Sequence, residues 1–93
     1  MIKIIGNDIM RGGEKIGWIE GDHIYNHAGQ KLGYVQGNNV YSHDGKKLAY
    51  VEGDHLKGED GTMDVRLDEN RAHITGGSHG DATRAAIRVL LGD

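Results

Sequence analysis

Histidine is the residue type of this chain best suited to acid–base or metal chemistry, and six of the 93 residues are histidines. Four of them recur at two positions of an internal repeat, namely His23 with His55 and His27 with His43. A metal site needs three or four ligands that converge within bonding distance. Repeat-equivalent residues lie on different strands, and the polarity expected beside turns explains them without a metal. Metal-assisted catalysis is therefore our third hypothesis, and we predict no metal ligands and no cofactor.

A second constellation lies near the C-terminus, where Ser78, His79 and Asp81 stand close together in a glycine-rich stretch. A nucleophile–base–acid triad is defined by its geometry in space, which near-adjacent residues on a flexible segment do not provide. Acidic residues also recur beside the turn signals, which is typical of solvated hairpin ends. We therefore predict no catalytic residues and expect that the protein is not an enzyme.

The histidines belong to a 16-residue unit that occurs three times without a gap, at residues 13–28, 29–44 and 45–60. Each copy contains Gly-Asp or Gly-Asn, which favours a type II′ hairpin turn. The junctions Asp44-Gly45 and Asp60-Gly61 favour a type I′ turn, and Ala28-Gly29 takes the same place. Runs of Ile, Val, Tyr and Trp between these turns favour strands. The unit therefore predicts a β-meander.

Two-residue loops at both turns would fix the strand register, with Val35 opposite Val40 and Val40 opposite Ala49. One face then carries Gly33, Val35, Val40, Ser42, Ala49 and Val51, and the other carries Leu32, Tyr34, Tyr41, His43, Leu48 and Tyr50. Successive copies shift by two residues along the strands. Four copies would accumulate a shear of about eight over about eight strands. We therefore expect a mainly β protein whose hairpin repeats roll into a closed or nearly closed barrel.

An aromatic row marks the second face, with Trp18, Tyr34 and Tyr50 at one repeat position. Core packing beneath a helix or a partner is one explanation of such a row. The alternative is a ligand site lined by these three rings, at a barrel mouth or a subunit interface.

The chain outside the three copies completes a single domain over residues 1–93. Residues 2–12 resemble a shortened further copy with Gly6-Asn7 as its turn. After Gly61 the pattern predicts an alternating strand, a turn at 68–70 and a last strand at 71–75. The domain divides into β-hairpin repeats at 2–75, a glycine-rich link at 76–80 and a C-terminal α-helix at 81–91, for which Asp81 is the predicted N-cap.

The predicted helix has a wide apolar face, formed by Ala82, Ala85, Ala86, Val89 and Leu90. An isolated helix of this length is marginal in water, so this face must dock on other protein surface. It packs either on its own sheet or on another subunit, and in the second case Ala86, Val89 and Leu90 would form the partner interface.

The composition excludes several classes of protein. The chain has no cysteine and a formal net charge of −3, so it offers no thiol chemistry and no basic surface for nucleic acid. No apolar run is long enough to cross a membrane or to act as a signal peptide. We expect a cytoplasmic protein that binds neither nucleic acid nor membranes.

Three segments together resemble the bacterial "4-fold beta flower" proteins. They are the repeated unit Gly-x-Lys-(Ile/Leu)-Gly-(Trp/Tyr)-(Ile/Val)-x-Gly-(Asp/Asn), the opening Ile4-Ile-Gly-Asn-Asp8 and the closing Arg84-Ala-Ala-Ile-Arg-Val-Leu-Leu-Gly-Asp93. The resemblance implies hairpins in pseudo-fourfold arrangement plus a C-terminal helix. Some of these largely uncharacterised proteins are associated with integron gene cassettes. The resemblance implies no activity and no catalytic residues.

Our leading hypothesis for the function is a non-enzymatic structural or protein-interaction module that self-associates as a homo-oligomer. Two apolar sheet faces and an apolar helix favour it. A small-molecule binding protein that uses the aromatic row is the alternative.

Overall fold

The computed structural model describes residues 2–92. It contains ten β-strands and two α-helices. In chain order these are β1 (Ile2–Ile5), β2 (Asp8–Arg11), β3 (Glu14–Glu20), β4 (His23–Asn26), β5 (Lys31–Gln36), β6 (Asn39–Ser42), β7 (Lys47–Glu52), β8 (His55–Gly58), β9 (Asp64–Arg66), α1 (Leu67–His73), β10 (Ile74–Gly76) and α2 (Asp81–Leu91). The chain is therefore mainly β with a C-terminal helix, as the repeats predicted.

The strands form one sheet in the order β10-β1-β2-β3-β4-β5-β6-β7-β8-β9. Neighbours pair antiparallel along the meander, and only β10 runs parallel to its neighbour, β1. β9 and β10 lie at opposite edges, and within residues 2–92 the ladder does not join them. Helix α1 links these two edge strands directly along the chain. The meander is thus confirmed, whereas the closure of a barrel is not.

Four hairpins repeat one backbone contact. The second residue of each Gly-Asn or Gly-Asp turn accepts a hydrogen bond from an N–H of the following repeat. The bonds run from Ile19 to Asn7, from Val35 to Asp22, from Val51 to Asn38 and from Leu67 to Asp54, at 2.8 or 2.9 Å. Residues 2–12 therefore fold as a fourth copy of the repeat.

The hairpin turns separate into two kinds. Gly6, Gly21, Gly37 and Gly53 all have φ near 60° and the residues after them do not have positive φ, which is the pattern of type II′. The type I′ prediction for the second turn is wrong, because Ala28, Asp44 and Asp60 lack the positive φ that it requires. Those connections are longer loops in which only the glycine has positive φ. The Gly12-Gly13 pair, by contrast, has φ of 58° and 83° and fits type I′.

A β-bulge follows the Gly12-Gly13 turn and each of the two longer loops that lead into β5 and β7. Ile24 pairs with Gly33, but the next residue, Tyr25, pairs with Lys31, so that Leu32 has no partner in the ladder. The same shift occurs at Ile16 and at Leu48. The predicted pair of Val35 with Val40 is confirmed across the two-residue Gly37-Asn38 turn. The pair of Val40 with Ala49 is also confirmed, because it lies beyond the bulge at Leu48.

One face of the sheet is buried beneath α2. Ile4, Ile9, Ile24, Val40 and Leu56 are at most 1 % exposed on this face. Helix α2 packs across β4, β5, β6 and β7 and contributes three fully buried residues, namely Ala85, Ala86 and Ile87. The helix therefore docks on its own sheet, and this docking completes the core.

The chain between β9 and α2 departs from the sequence prediction. The predicted turn at 68–70 and strand at 71–75 are replaced by α1 and the short β10. Gly80 is the N-cap residue of α2, and Asp81, the predicted cap, is the first helical residue. The N-cap residue is a glycine and so has no side chain to cap this helix, and the carboxylate of Asp81 accepts hydrogen bonds from Arg71.

Candidate functional site

The aromatic residues stand on the face of the sheet opposite α2. Together with lysines of the same repeats, they form three units, which we call the first, central and third units. The first comprises Lys15, Trp18 and Tyr25, the central one Lys31, Tyr34 and Tyr41, and the third Lys47, Tyr50 and Lys57. We call their common surface the aromatic face. Its rings are half-buried, unlike the residues beneath α2.

The strand register places the rings side by side. Trp18 pairs with Tyr25 across β3 and β4, and their rings stack with centroids 5.3 Å apart and planes 7° apart. Tyr34 and Tyr41 repeat this stack across β5 and β6, at 5.2 Å and 11°. Stacked aromatic pairs add about 0.5–1.5 kcal/mol beyond the area that they bury. In the third unit Lys57 takes the place of the second ring, so that Tyr50 has no stacking partner there.

A lysine ammonium lies over the first ring of every unit. Lys15 Nζ lies 5.3 Å from the centroid of the Trp18 ring. The corresponding distance is 5.4 Å from Lys31 Nζ to Tyr34 and 4.7 Å from Lys47 Nζ to Tyr50. These are cation–π distances. The sequence prediction missed the lysines because strict alternation along an unbulged strand places Lys31 and Lys47 on the same face as Gly33 and Ala49. Their recurrence as Gly-x-Lys at one repeat position was the available signal.

The three units differ in how the lysine charge is balanced. Lys15 forms an ion pair with Asp8 at 3.0 Å, and Lys47 forms one with Glu59 at 3.7 Å. Within residues 2–92, no carboxylate lies at ion-pair distance from Lys31. Lys31 is also exposed, so its ammonium is open to solvent and to a ligand.

The predicted ligand residues form a row. Trp18, Tyr34 and Tyr50 lie on β3, β5 and β7, which alternate with other strands of the sheet. Equivalent rings are therefore separated by two strand spacings, on the order of 10 Å. They share one surface but do not converge on one point. A single ligand of modest size would contact one unit at a time.

Two surface cavities are lined by other residues than these rings, and one of them includes Lys47 of the third unit. One of about 210 Å³ is lined by Lys46, Lys47, Leu48, Glu59 and Asp60. The other, of about 110 Å³, is lined by Asp54, Arg66, Leu67, Asp68 and Arg71. Neither is lined by the predicted trio of Trp18, Tyr34 and Tyr50.

The repeated histidines have separate surroundings. His23 packs against the ring of Tyr34, with centroids 5.9 Å apart, and its buried Nδ1 has no hydrogen-bond partner in the described chain. His55 Nδ1 lies 2.6 Å from a carboxylate oxygen of Asp64. Among residues 2–92, no group of three or more His, Asp or Glu side chains is placed to hold a metal ion.

Two of the triad-like residues, His79 and Asp81, make polar contacts at the start of α2. His79 Nε2 lies 3.3 Å from the carbonyl oxygen of Gly6. Arg71 donates two hydrogen bonds to the Asp81 carboxylate, at 2.8 and 2.7 Å, and this lowers the pKa of Asp81. Arg84 donates to the carbonyls of Ile74, Gly76 and His79 and so fixes α2 to β10. These contacts secure the helix.

The predicted interface residues of α2 lie against the protein's own core. Ala86 is 0 % exposed, so it offers no surface to a partner while α2 stays docked. Val89 and Leu90 are half-buried and pack beside the core, and Leu90 lies over Gly33. The helix face is thus largely used within the chain, which leaves the aromatic face as the surface to consider.

The structure defines a small repeat protein in which four β-hairpins form one sheet, with α2 on one face and stacked rings on the other. The chain belongs to the family described as the 4-fold beta flower protein, whose family model matches residues 10–74. The matched region covers the three aromatic units and ends before α2. No match was found among curated proteins or among solved structures. Within residues 2–92, no helix is long and apolar enough to cross a membrane.

Proposed function

We propose that this protein is a non-enzymatic interaction module that self-associates through its aromatic face. One observation carries the proposal: the core is already completed by α2, yet five aromatic rings in three repeated units stand half-exposed on the other side of the sheet. Aromatic residues are enriched at protein interfaces because they combine a large apolar area with a polar edge.

A second copy of the chain fits this surface by its charge pattern. The lysines of the units lie among the rings, whereas carboxylates such as Glu20 and Glu52 stand exposed at the strand ends beside the hairpin turns. In a two-fold interface the same patch meets itself, so an exposed carboxylate of one copy, such as Glu20, can approach Lys31 of the other. The row of units also extends over several strands, as a protein interface requires.

Removal of one aromatic pair tests this proposal. We expect the wild-type protein to show a mass that is a multiple of 10.1 kDa in native mass spectrometry and sedimentation. The double variant Tyr34→Ala with Tyr41→Ala should shift the protein to the monomer, because it removes the central stack. Ile5→Ala is the matched control, since Ile5 is 55 % exposed and lies outside the units.

Circular dichroism of each variant would show that the fold persists. A wild-type protein that stays at 10.1 kDa at every concentration would refute self-association. A double variant that is folded and still assembled would instead exclude the aromatic face as the interface.

A second candidate function is the binding of a small molecule on the same face. The specific observation in its favour is Lys31, which lies over Tyr34 without the carboxylate that its counterparts Lys15 and Lys47 have. The cytoplasmic location and the link to integron cassettes stay predictions.

A further inference from the structure

The three units offer an internal comparison, because the same backbone surrounds each lysine–ring pair. Two neighbouring positions contribute to the charge around each lysine. One is the residue of the preceding strand that pairs with the first ring of the unit. The other is the loop residue two positions after the second aromatic position of the unit.

The first position carries a different residue in each unit. Asp8 pairs with Trp18, His23 with Tyr34 and Asn39 with Tyr50. Only Asp8 is an anion, and it forms the ion pair with Lys15. In the central unit the corresponding neighbour is a histidine, which can donate an N–H or become a cation but cannot supply negative charge.

The loop position varies in the same way, with His27, His43 and Glu59 in the three copies. The backbone N–H groups of His43 and Glu59 donate to equivalent carbonyls, those of Leu32 and Leu48, at 3.1 and 2.9 Å. The two residues are therefore placed alike. Glu59 forms the ion pair with Lys47, and His43 stands where the corresponding carboxylate of the central unit would be.

The central copy lacks carboxylates elsewhere as well. Gln36 stands where the other copies have Glu20 and Glu52, and Asn38 stands where they have Asp22 and Asp54. Its one acidic residue is Asp44, which accepts hydrogen bonds from Ser42 and from the Lys46 backbone, and the pKa of Asp44 is lowered by them. The central unit is thus the place on the aromatic face where a stacked pair and an unneutralised lysine coincide.

We propose that the central unit is a binding site for the carboxylate of a small, planar organic acid. The ligand carboxylate pairs with Lys31, in the role that Asp8 and Glu59 have in the flanking units. The planar body of the ligand lies against the half-exposed rings of Tyr34 and Tyr41, and His23 and His43 add N–H donors. This inference rests on the second candidate function above, and it names the class of ligand.

The central unit by itself has the size of a small-molecule site and not that of a protein interface. The site consists of one lysine, two stacked rings and two histidines, whereas a stable protein interface buries about 800 Å² on each partner. The flanking units also show that one carboxylate suffices to occupy the place beside the lysine.

Benzoate is the probe that tests the site. It is titrated into the full-length protein, and ¹H–¹⁵N spectra record the binding. We expect saturable shifts at Lys31, Tyr34 and His23 that exceed those at the flanking units. Lys31→Met should weaken benzoate binding about tenfold or more, because a charge-assisted contact is lost. Lys15→Met is the matched control and should leave the affinity unchanged, since Lys15 already has a carboxylate partner.

Two further ligands separate the contributions of charge and ring. Acetate keeps the carboxylate without the ring, and benzamide keeps the ring without the charge, so both should bind more weakly than benzoate. Equal binding of benzamide and benzoate would overturn the carboxylate site while leaving small-molecule binding on the aromatic face intact. The absence of any saturable shift, equal responses in all three units, or an unchanged affinity in Lys31→Met would also overturn it. Native mass recorded with and without benzoate keeps these outcomes distinct from the test of self-association.

Discussion

The two faces of the sheet are built from the same repeat but differ in the size and the burial of their side chains. The face beneath α2 carries glycine, alanine and branched aliphatic residues, and its large members are almost fully buried. The aromatic face carries the larger side chains, yet these remain half-exposed. Size alone therefore does not decide which residues form the core. The small residues let the helix approach the sheet closely, and the rings that would prevent this approach point the other way.

Adjacent residues of β1 give the most direct measure of this difference. Ile4 is 1 % exposed in the core, whereas Ile5 points outward and is 55 % exposed. We expect Ile4→Ala to lower the free energy of unfolding by about 2–5 kcal/mol, because it removes apolar contacts and leaves a cavity. Ile5→Ala should change it by no more than about 0.5 kcal/mol.

Urea unfolding followed by circular dichroism measures both variants. Should Ile4→Ala fail to fold, Ile4→Val removes one methylene and should cost about 0.5–1.5 kcal/mol. Similar losses for Ile4→Ala and Ile5→Ala would mean that the two faces do not differ as the structure indicates.

The close approach of helix and sheet can be tested at Gly33. A Cβ added there would collide with the carbonyl oxygen of Tyr41 and would lie 2.9 Å from a methyl carbon of Leu90. We expect Gly33→Ala to destabilise the protein by about 1–3 kcal/mol through overpacking, measured by thermal or urea unfolding.

The repeat supplies the control for this substitution. Ala49 occupies the position of Gly33 in the next copy and is 1 % exposed, so that site already accommodates a methyl group. Ala49→Gly should also destabilise, by about 1 kcal/mol, through lost packing and greater chain entropy. A stabilised Gly33→Ala variant would show that the helix does not press on the sheet at this point.

The sequence was sufficient for those features that one repeat encodes locally. Glycine before Asp or Asn defines the type II′ turns, and the alternation of residues such as Val35 and Tyr34 defines the two faces. The predicted pair of Val40 with Ala49 is correct, although the prediction rests on a two-residue loop and the loop in the structure is longer. A bulge at Leu48 compensates for the longer loop, and the register beyond it is restored.

Other features depend on contacts that no local pattern reveals. The seven residues of α1 have no apolar period, and the burial of Asn70 at 1 % exposure follows from its place between the sheet edges and α2. Arg88 of α2 donates a hydrogen bond to the side-chain oxygen of Asn70 at 3.4 Å. The difference between Lys31 and its counterparts likewise needed the structure, because it depends on which side chains meet across strands.

The smallest effect is expected outside both faces, where Arg71 of α1 pairs with Asp81 at the start of α2. The two hydrogen bonds from Arg71 lower the pKa of Asp81 from its usual 3.8. A carboxyl group whose pKa is lower in the folded state stabilises the fold above its unfolded pKa, and loses this effect as the pH falls through the folded value. The contribution of Asp81 is therefore present at neutral pH and disappears in acid.

Asp81→Asn should consequently destabilise the protein at pH 7 by about 1 kcal/mol or less, since the pair is partly exposed to solvent. The gap between wild type and variant in urea unfolding should shrink steadily below the usual pKa of 3.8. Arg71→Gln should reproduce most of the loss at pH 7, and adding Asp81→Asn to it should cost little more, because the partner is already gone. A gap that persists unchanged into strong acid would mean that Asp81 acts through helix packing rather than through its charge.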